Sequence, residues 1–257
     1  MTKSSIGTRN RSIERGIEIL RAFRPGVDLL GNSELSERTG LSPATVSRLT
    51  QTLVRCSMLE PDRKARAYRL GPLVLCLSHA MRGSSPILKI ASPLMKSLGE
   101  RLSINVGLAV PDRDEMIYIE SFRYNNKRAL RTVVSGQRIP IELTSLGRAY
   151  LSTLSPLDRD KLFSFIKSKR NKFSRALEKD INRSIQCVNK DGYCTVSWQP
   201  EVIAISTPIL IQDCRTYILN VSTTSNRSMN DVSVQLSSHL LDLKKSIIRE
   251  FSDTERV

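Results

Sequence analysis

The hydrophobic and polar positions of the first 40 residues predict two short helices. Three apolar residues recur at helical spacing behind Ser12, a residue suited to cap a helix N-terminus, and Pro25 ends the segment. A shorter helical segment over 34–39 stops at Gly40, because glycine readily adopts the left-handed conformation that closes a helix. The predicted apolar face of the first helix is Ile13, Ile17 and Leu20.

A third helix is predicted directly after this turn. Ser42 is a good N-cap and Pro43 a favourable first helical residue. A short helix, a glycine turn and a longer helix follow the order of a helix-turn-helix. Two β-rich runs, 58–61 and 67–70, flank a basic segment and predict a hairpin, which would complete a winged helix-turn-helix. The apolar face of the third helix is Val46, Leu49 and Leu53.

Beyond residue 72 the pattern divides into a linker and a larger region. Residues 73–85 form a short apolar segment between Gly-Pro and Gly-Ser-Ser-Pro, which we interpret as a linker helix joining a domain over 1–72 to one over 86–257. The second region predicts an α+β fold in which helices flank a curved, largely antiparallel sheet. Its predicted helices are 86–102, 146–154, 156–166, 174–189 and a closing helix with Val232, Leu236, Leu240, Leu243 and Ile247 on one face; its predicted strands are 105–110, 115–122, 193–197, 202–209 and 216–223.

The net positive charge of the chain indicates an anionic partner. The 257 residues include 40 Lys plus Arg against 25 Asp plus Glu, a formal net charge of +15. The first 82 residues hold 14 of the basic and 7 of the acidic residues, so positive charge is densest in the winged module. A polyanion such as double-stranded DNA, or a small anion, is therefore the first partner to consider.

Several classes of protein are disfavoured by what the sequence lacks. It has no apolar stretch of the length a spanning helix needs and no apolar core of a signal peptide, so we expect a soluble, cytoplasmic protein without a membrane partner. Its five cysteines form no CxxC pair, which favours reduced thiols. The motifs of serine hydrolases, nucleotide-binding proteins and zinc peptidases are absent, and the two histidines have no ligand partners at recognised spacing. We expect neither an enzyme nor a metal or cofactor site.

The third helix carries the residue types of a DNA-reading helix. With its apolar face inward, it presents short polar and basic side chains to the major groove, where Arg48 is suited to guanine and Gln51 to adenine. Basic residues at the hairpin tip are suited to phosphate or minor-groove contacts. For any one of these positions, the alternative is that the side chain is only solvated on the surface of the helix or turn and does not contact DNA. The candidates are Ser42, Ala44, Thr45, Ser47, Arg48, Gln51, Thr52 and Arg55 on the helix and Arg63, Lys64 and Arg66 on the hairpin.

At this point the chain resembles a known family along nearly its whole length. The stretches SIERGIEILRAF, SELSERTGLSPATVSRLTQTL and YRLGPLVLCL resemble the DNA-binding domain and linker helix of the IclR family of bacterial transcriptional regulators. ASPLMKSLGERLSINVGLAV, VSGQRIPIELTSLGRAYLSTL, KDGYC and TPILIQDCRTYILNVST resemble its effector-binding domain. The resemblance implies a GAF-like α/β second domain with a pocket for a small organic acid, and assembly as a homodimer or homotetramer.

The resemblance also implies where the effector binds. A carboxylate or carbonyl would meet backbone N–H groups where the LTSLGRAYL segment enters its helix, because helix N-termini favour anions. Trp198 beside this site is either an aromatic wall of the pocket or ordinary core packing. The implied amides belong to Ser145, Leu146 and Gly147, the other pocket positions are Ser197, Ala204, Asn220 and Ser222, and the walls are Leu130 and Thr132.

Two hypotheses of different classes follow. The first is a sequence-specific regulator that binds a pseudo-palindromic operator, controls a catabolic operon and responds to a small organic acid. The second is an architectural DNA-binding protein that uses positive charge without sequence readout or ligand. The 18 acidic residues beyond residue 82 argue against the second hypothesis, since they break up a uniformly basic surface.

Overall fold

Three short helices build the first of the two units into which the chain divides, Met1–Ser84 and Ser85–Val257. The computed structural model describes residues 10–124, 135–169 and 173–254. Val46 of the third helix lies in one core with Ile19 and Leu35 of the other two. The helices are α1 (Arg11–Ala22), α2 (Asn32–Thr39) and α3 (Pro43–Arg55).

A small antiparallel sheet completes this unit. The predicted hairpin is confirmed as β2 (Leu59–Asp62) and β3 (Ala67–Leu70). A two-residue strand that the sequence pattern did not predict, β1 (Leu30–Gly31), pairs with the other side of β3. The segment after the sheet forms the predicted helix, α4 (Leu73–Gly83). The unit therefore has the helices and the hairpin of a winged helix-turn-helix.

The prediction for α1 was wrong in its cap and in two of its three apolar positions, while Leu20 packs against the core as predicted. Asn10, rather than Ser12, caps the helix, because the Asn10 side chain accepts hydrogen bonds from the first backbone amides. Ile13 and Ile17 lie on the surface, 61% and 47% exposed, while the core takes Ile19 and Phe23. Both pairs are four residues apart, so spacing alone could not decide which one faces α2 and α3.

The second unit is a six-stranded antiparallel sheet between two layers of helices. The helices are α5 (Pro86–Leu102), α6 (Ser145–Leu151), α7 (Pro156–Lys169), α8 (Arg175–Asp191) and α9 (Met229–Thr254). The strands are β4 (Asn105–Asp112), β5 (Glu115–Phe122), β6 (Arg138–Pro140), β7 (Cys194–Gln199), β8 (Val202–Ile209) and β9 (Tyr217–Thr224). Along the sheet the strand order is β6-β5-β4-β9-β8-β7.

The two faces of the sheet bury separate cores. On one face α5 and α9 pack against apolar side chains of the central strands, including Leu108, Leu219 and Val221. The apolar positions predicted for the closing helix are buried there. On the other face α6 and α8 cover a second core that includes Ala109 and Ile218. This arrangement confirms the predicted α+β class.

Besides α6, which ends at Leu151 rather than at 154, two elements of this unit differ from the sequence pattern by more than two residues. The short edge strand β6 was not predicted, because three residues are too few to show alternation. α7 continues three residues past its predicted end at 166, since Lys167, Ser168 and Lys169 extend the helix without extending its apolar face. Neither difference moves the strands that carry the candidate effector residues.

Candidate functional site

The N-terminus of α3 is held by side chains that the sequence identified. Gly40 closes α2 in the left-handed region, at φ +68°, as predicted. Ser42 then caps α3, since its Oγ accepts from the Thr45 amide at 3.4 Å and lies 2.9 Å from the Thr45 hydroxyl. Pro43 occupies the first turn, where its missing N–H costs nothing. These contacts fix the direction in which α3 leaves the turn.

The predicted apolar face of α3 is confirmed. Val46 is fully buried, and Leu49 and Leu53 pack against the same core. Thr50 is also fully buried, and its hydroxyl donates to the Ser47 carbonyl oxygen at 3.0 Å. The opposite side of α3 faces solvent. Ser42, Ala44, Arg48, Gln51, Thr52 and Arg55 are exposed, and Thr45 and Ser47 are partly exposed.

The hydroxyl groups on α3 differ from its long side chains. Those of Ser42 and Thr45 bond each other, and Thr52 Oγ1 donates to the Arg48 carbonyl oxygen at 3.1 Å. Each of these hydroxyls is thus engaged within its own helix. Arg48, Gln51 and Arg55 carry longer side chains, and all three lie on the exposed face.

Four residues between β2 and β3 turn the basic hairpin, and Asp62 holds this turn. Asp62 Oδ1 accepts from the Ala65 amide at 2.9 Å, and its other oxygen pairs with Arg69 of β3. The Ala65 hydrogen bond, more than the Arg69 charge, lowers the pKa of the Asp62 carboxyl. The turn ends at Arg66 with a positive φ of 50°. The three basic candidates Arg63, Lys64 and Arg66 are exposed at its tip.

In the second unit, α6 begins inside the protein. Thr144 caps it, with Oγ1 accepting from the Gly147 amide at 3.2 Å, so this candidate amide already has a partner. Ser145, Leu146 and Gly147 are all buried. A Cβ on Gly147 would lie 2.0 Å from the Ile141 carbonyl oxygen, so only glycine lets α6 approach that segment. α6 therefore lies tightly against the chain that precedes it.

A row of small and polar residues crosses the sheet beneath α6. Ser206 of β8 is directly opposite Asn220 of β9, which is in turn opposite Gly107 of β4. Cys194 of β7 continues the row on the other side of Ser206. Residues in direct register share one face of a sheet. Ser206 Oγ donates to Ser145 Oγ at 2.8 Å, which joins this row to the first residue of α6.

Asn220 is the most buried of the predicted effector residues on the sheet. It is 4% exposed, and a Cβ on Gly107 would lie 2.5 Å from both Asn220 Oδ1 and the Tyr118 ring. The glycine thus makes room for both side chains. Burial raises the pKa of Tyr118, while a hydrogen bond with the Asn220 side chain acts in the opposite direction.

The remaining effector candidates do not all converge on this row. Ala204 and Ser222 are cross-strand partners two residues further along, on the same face as Asn220, and both are partly buried. Ser197 is exposed, and its hydroxyl donates to the Gln199 carbonyl oxygen at 3.3 Å. Trp198 is partly buried near the end of β7. Leu130 and Thr132 lie outside the described residues.

Sequence reasoning missed three members of this row, Ser206, Gly107 and Cys194, and also Tyr118 beside it. Polar and small residues within otherwise apolar strands were the available signal, since Ala204 and Ser206 alternate with isoleucines on β8. Their convergence with α6 depends on strand order, which the sequence pattern does not supply. A further missed residue, Arg148 of α6, donates to the Glu142 carbonyl oxygen and to Ser184 Oγ, and burial lowers its pKa.

Other chemistry is not visible in the described parts of the chain. Across residues 10–124, 135–169 and 173–254, no group of three or more His, Cys, Asp or Glu side chains is arranged to hold a metal ion. Within the same ranges, no helix combines the length and apolar character needed to span a bilayer.

Comparison with known proteins identifies both units. A model of the IclR helix-turn-helix domain matches residues 12–63, and a model of the bacterial transcriptional regulator IclR C-terminal domain matches residues 79–249. The HTH-type transcriptional regulator TsaQ1/TsaQ2 of Comamonas testosteroni is 34% identical over 176 residues, 64% of this chain. The chain covers 62% of that relative, slightly less than two thirds of its length.

Solved structures share the fold. An IclR family transcriptional regulator from Brucella abortus has a TM-score of 0.83 and 27% identity, covering 96% of this chain and 94% of that chain. An IclR homolog from Microbacterium hydrocarbonoxydans, complexed with 4-hydroxybenzoate, has a TM-score of 0.71 and 18% identity, covering 94% of this chain and 99% of that chain. The curated relatives are transcriptional regulators, in agreement with the expectation of a non-enzymatic protein. Since family models match both units, the chain belongs to the IclR family of bacterial transcriptional regulators.

Proposed function

We propose that the protein binds a pseudo-palindromic operator in double-stranded DNA and that a small organic acid in its second unit changes this binding. The exposed face of α3 carries the proposal. Arg48 and Gln51 project from a helix whose opposite face is anchored by Val46 and Thr50. A helix held in this way can enter the major groove without losing its contacts to its own unit.

Base reading is assigned to the long side chains of α3. Arg48 can donate two hydrogen bonds to guanine N7 and O6, and Gln51 can pair with adenine. The hydroxyls of Ser42, Thr45 and Thr52 are engaged within the helix, so their part is to position α3 or meet a phosphate. Ala44, Ser47 and Arg55 complete the facing surface. Arg63, Lys64 and Arg66 contribute phosphate or minor-groove contacts that raise affinity more than specificity.

The effector site is assigned to the row beneath α6. The Ser145 and Leu146 amides, the Ser145 hydroxyl and the side chains of Asn220 and Ser222 offer hydrogen bonds to a small acid. The IclR homolog that binds 4-hydroxybenzoate has the same fold, which supports an organic acid as the ligand class. Control of a catabolic operon would follow from such a ligand, since a regulator senses the compound whose breakdown it controls.

Assembly into a dimer is supported by apolar residues that the monomer leaves on its surface. Leu73, Leu77 and Met81 recur every four residues on α4 and are 36%, 53% and 49% exposed. α4 buries none of its residues. Apolar surface of this kind marks an interaction site, and a second copy would supply the second recognition helix that a two-half-site operator requires. A tetramer would be a dimer of such dimers.

Fluorescence anisotropy with DNA from the gene's own upstream region tests the DNA-binding proposal. At moderate salt we expect that DNA to bind at least tenfold more tightly than a scrambled duplex of equal length. Equal binding of the two duplexes would instead favour an architectural protein. A thermal-shift panel of oxo, hydroxy and aromatic acids tests the effector proposal, because a ligand selective for the native state raises the melting temperature.

A further inference from the structure

Asn220 presents a hydrogen-bonding atom that none of the described residues uses. Its side chain is 4% exposed, and Oδ1 accepts no hydrogen bond from any of the described residues. A buried acceptor without a donor costs free energy, because the atom has lost its hydrogen bonds to water. Such an atom in a native structure calls for an explanation, and a donor on a bound ligand supplies one.

The surroundings of Oδ1 hold it in one place. It lies against Gly107 of β4 and beside the Tyr118 ring of β5. The Asn220 side chain acts against burial by lowering the pKa of Tyr118, so the amide lies next to the Tyr118 hydroxyl while Oδ1 stays available. Gly107 and Tyr118 carry no charge, and the positive charge of Arg123 acts on Tyr118, so the site suits a neutral donor such as a hydroxyl more than an ammonium group.

A hydroxyl donor, that of Ser145 at the start of α6, lies near this acceptor. Ser206 Oγ donates to Ser145 Oγ, so the Ser145 hydroxyl proton is left to donate elsewhere. Ser206 and Asn220 are direct cross-strand partners, which places their Cβ atoms roughly 5 Å apart. The row thus offers a hydroxyl donor and an amide acceptor on one face of the sheet, within the span of one small molecule.

We infer that the effector is a hydroxylated carboxylic acid, whose hydroxyl donates to Asn220 Oδ1 while its carboxylate accepts from Ser145. This inference rests on the proposed effector site. It narrows the ligand class from organic acids in general to acids that carry a hydroxyl. Asn220 determines the specificity, and Tyr118 is a positioning residue that fixes the amide.

Calorimetric titration of the full chain with matched acids tests the inference. The pairs are lactate with propionate, 3-hydroxybutyrate with butyrate, and 4-hydroxybenzoate with benzoate. For the pair that fits the site, we expect the hydroxy acid to bind at least about tenfold more tightly, because the deoxy acid leaves Oδ1 buried and unpaired. Equal binding of both members, or tighter binding of alanine than of lactate, overturns the inference. Binding of no acid in the panel removes the effector proposal and this inference with it.

Two variants locate the selectivity. Asn220→Leu keeps the side-chain volume and removes the acceptor, so the preference for the hydroxy acid should disappear while the deoxy acid binds at least as well as before. Tyr118→Phe keeps the ring and removes the hydroxyl next to the Asn220 amide, so the preference for the hydroxy acid should shrink. If Asn220→Leu does not fold, Tyr118→Phe still tests the assignment. The matched control is Thr195→Val, which removes a hydroxyl bonded to Ser233, a residue of α9. Undiminished preference in both Asn220→Leu and Tyr118→Phe overturns the assignment.

Discussion

Single residues on α3 and on the hairpin should contribute differently to DNA binding. Replacing Arg48 by Ala removes a bidentate base contact, so we expect a loss of about 1–3 kcal/mol on the preferred operator and little loss on scrambled DNA. Anisotropy titrations on both duplexes measure this difference. The expected result is a lower ratio of the affinity for the operator to the affinity for scrambled DNA.

The comparison variant is Lys64→Ala at the exposed hairpin tip. Losing one phosphate contact should weaken both duplexes by a similar factor and reduce the slope of log K against log salt by about 1. If Arg48→Ala weakened both duplexes equally while Lys64→Ala altered the base preference, the two assigned roles would have to be exchanged.

Cys194 should be the least reactive of the five thiols. Burial raises its pKa to about 12, and the thiolate is the reactive form. At pH 8 we expect iodoacetamide to modify the exposed Cys56 and Cys187 quickly and Cys194 only after unfolding, as read by mass spectrometry. Because the folded chain holds this proton above the ordinary value of 9.0, the free energy of unfolding should fall as pH rises past about 9. Rapid labelling of Cys194 in the folded protein would contradict its burial.

At the scale of elements, α6 depends on a glycine that has no room for a side chain. A Cβ at Gly147 would lie 2.0 Å from a backbone oxygen, so Gly147→Ala should displace α6 and cost about 1–3 kcal/mol. Gly83 in α4 has no atom within 4 Å of its Cβ position, and Gly83→Ala should be neutral or slightly stabilising. Urea denaturation compares the two. Equal stabilities would mean that the close approach to Ile141 does not constrain the fold.

The elements that sequence could predict are those with local signals. Ser42, Pro43 and Gly40 mark their positions by capping chemistry, and α3 lies where they indicate. The buried face of α1 could not be chosen in this way, because Ile13 and Ile17 repeat at the same spacing as the residues that are buried. The partners of α1 decide that choice, and they are distant in the sequence.

At the scale of the whole molecule, the exposed stripe on α4 should control assembly. Leu77→Lys places a charge in the middle of this stripe, so we expect sedimentation velocity to show a shift toward monomer. The variant should also bind a two-half-site operator more weakly. His79→Lys is the matched control, since it adds the same group on the opposite side of α4. A dimer unaffected by Leu77→Lys would place the interface elsewhere.

Glycine and proline signals in the sequence favour two parts, and the chain divides into two compact units; the residues that meet at the candidate effector site have fewer such signals. Asn220 and Ser222 came from the family resemblance, and the structure places both on the face that α6 covers. Tyr118 and Gly107 meet Asn220 because β4 lies between β5 and β9, an order that no local pattern encodes. Ser197, by contrast, is exposed although the resemblance placed it with the pocket residues.

The exposed stripe on α4 also bears on how this segment keeps its shape. α4 has 11 residues, fewer than the number at which an isolated helix becomes stable in water. A lone subunit would therefore let this segment fray, and pairing would restore it. Helix formation and subunit pairing would then be a single equilibrium, so the rigidity of the connection between the two halves of the chain would rise with protein concentration.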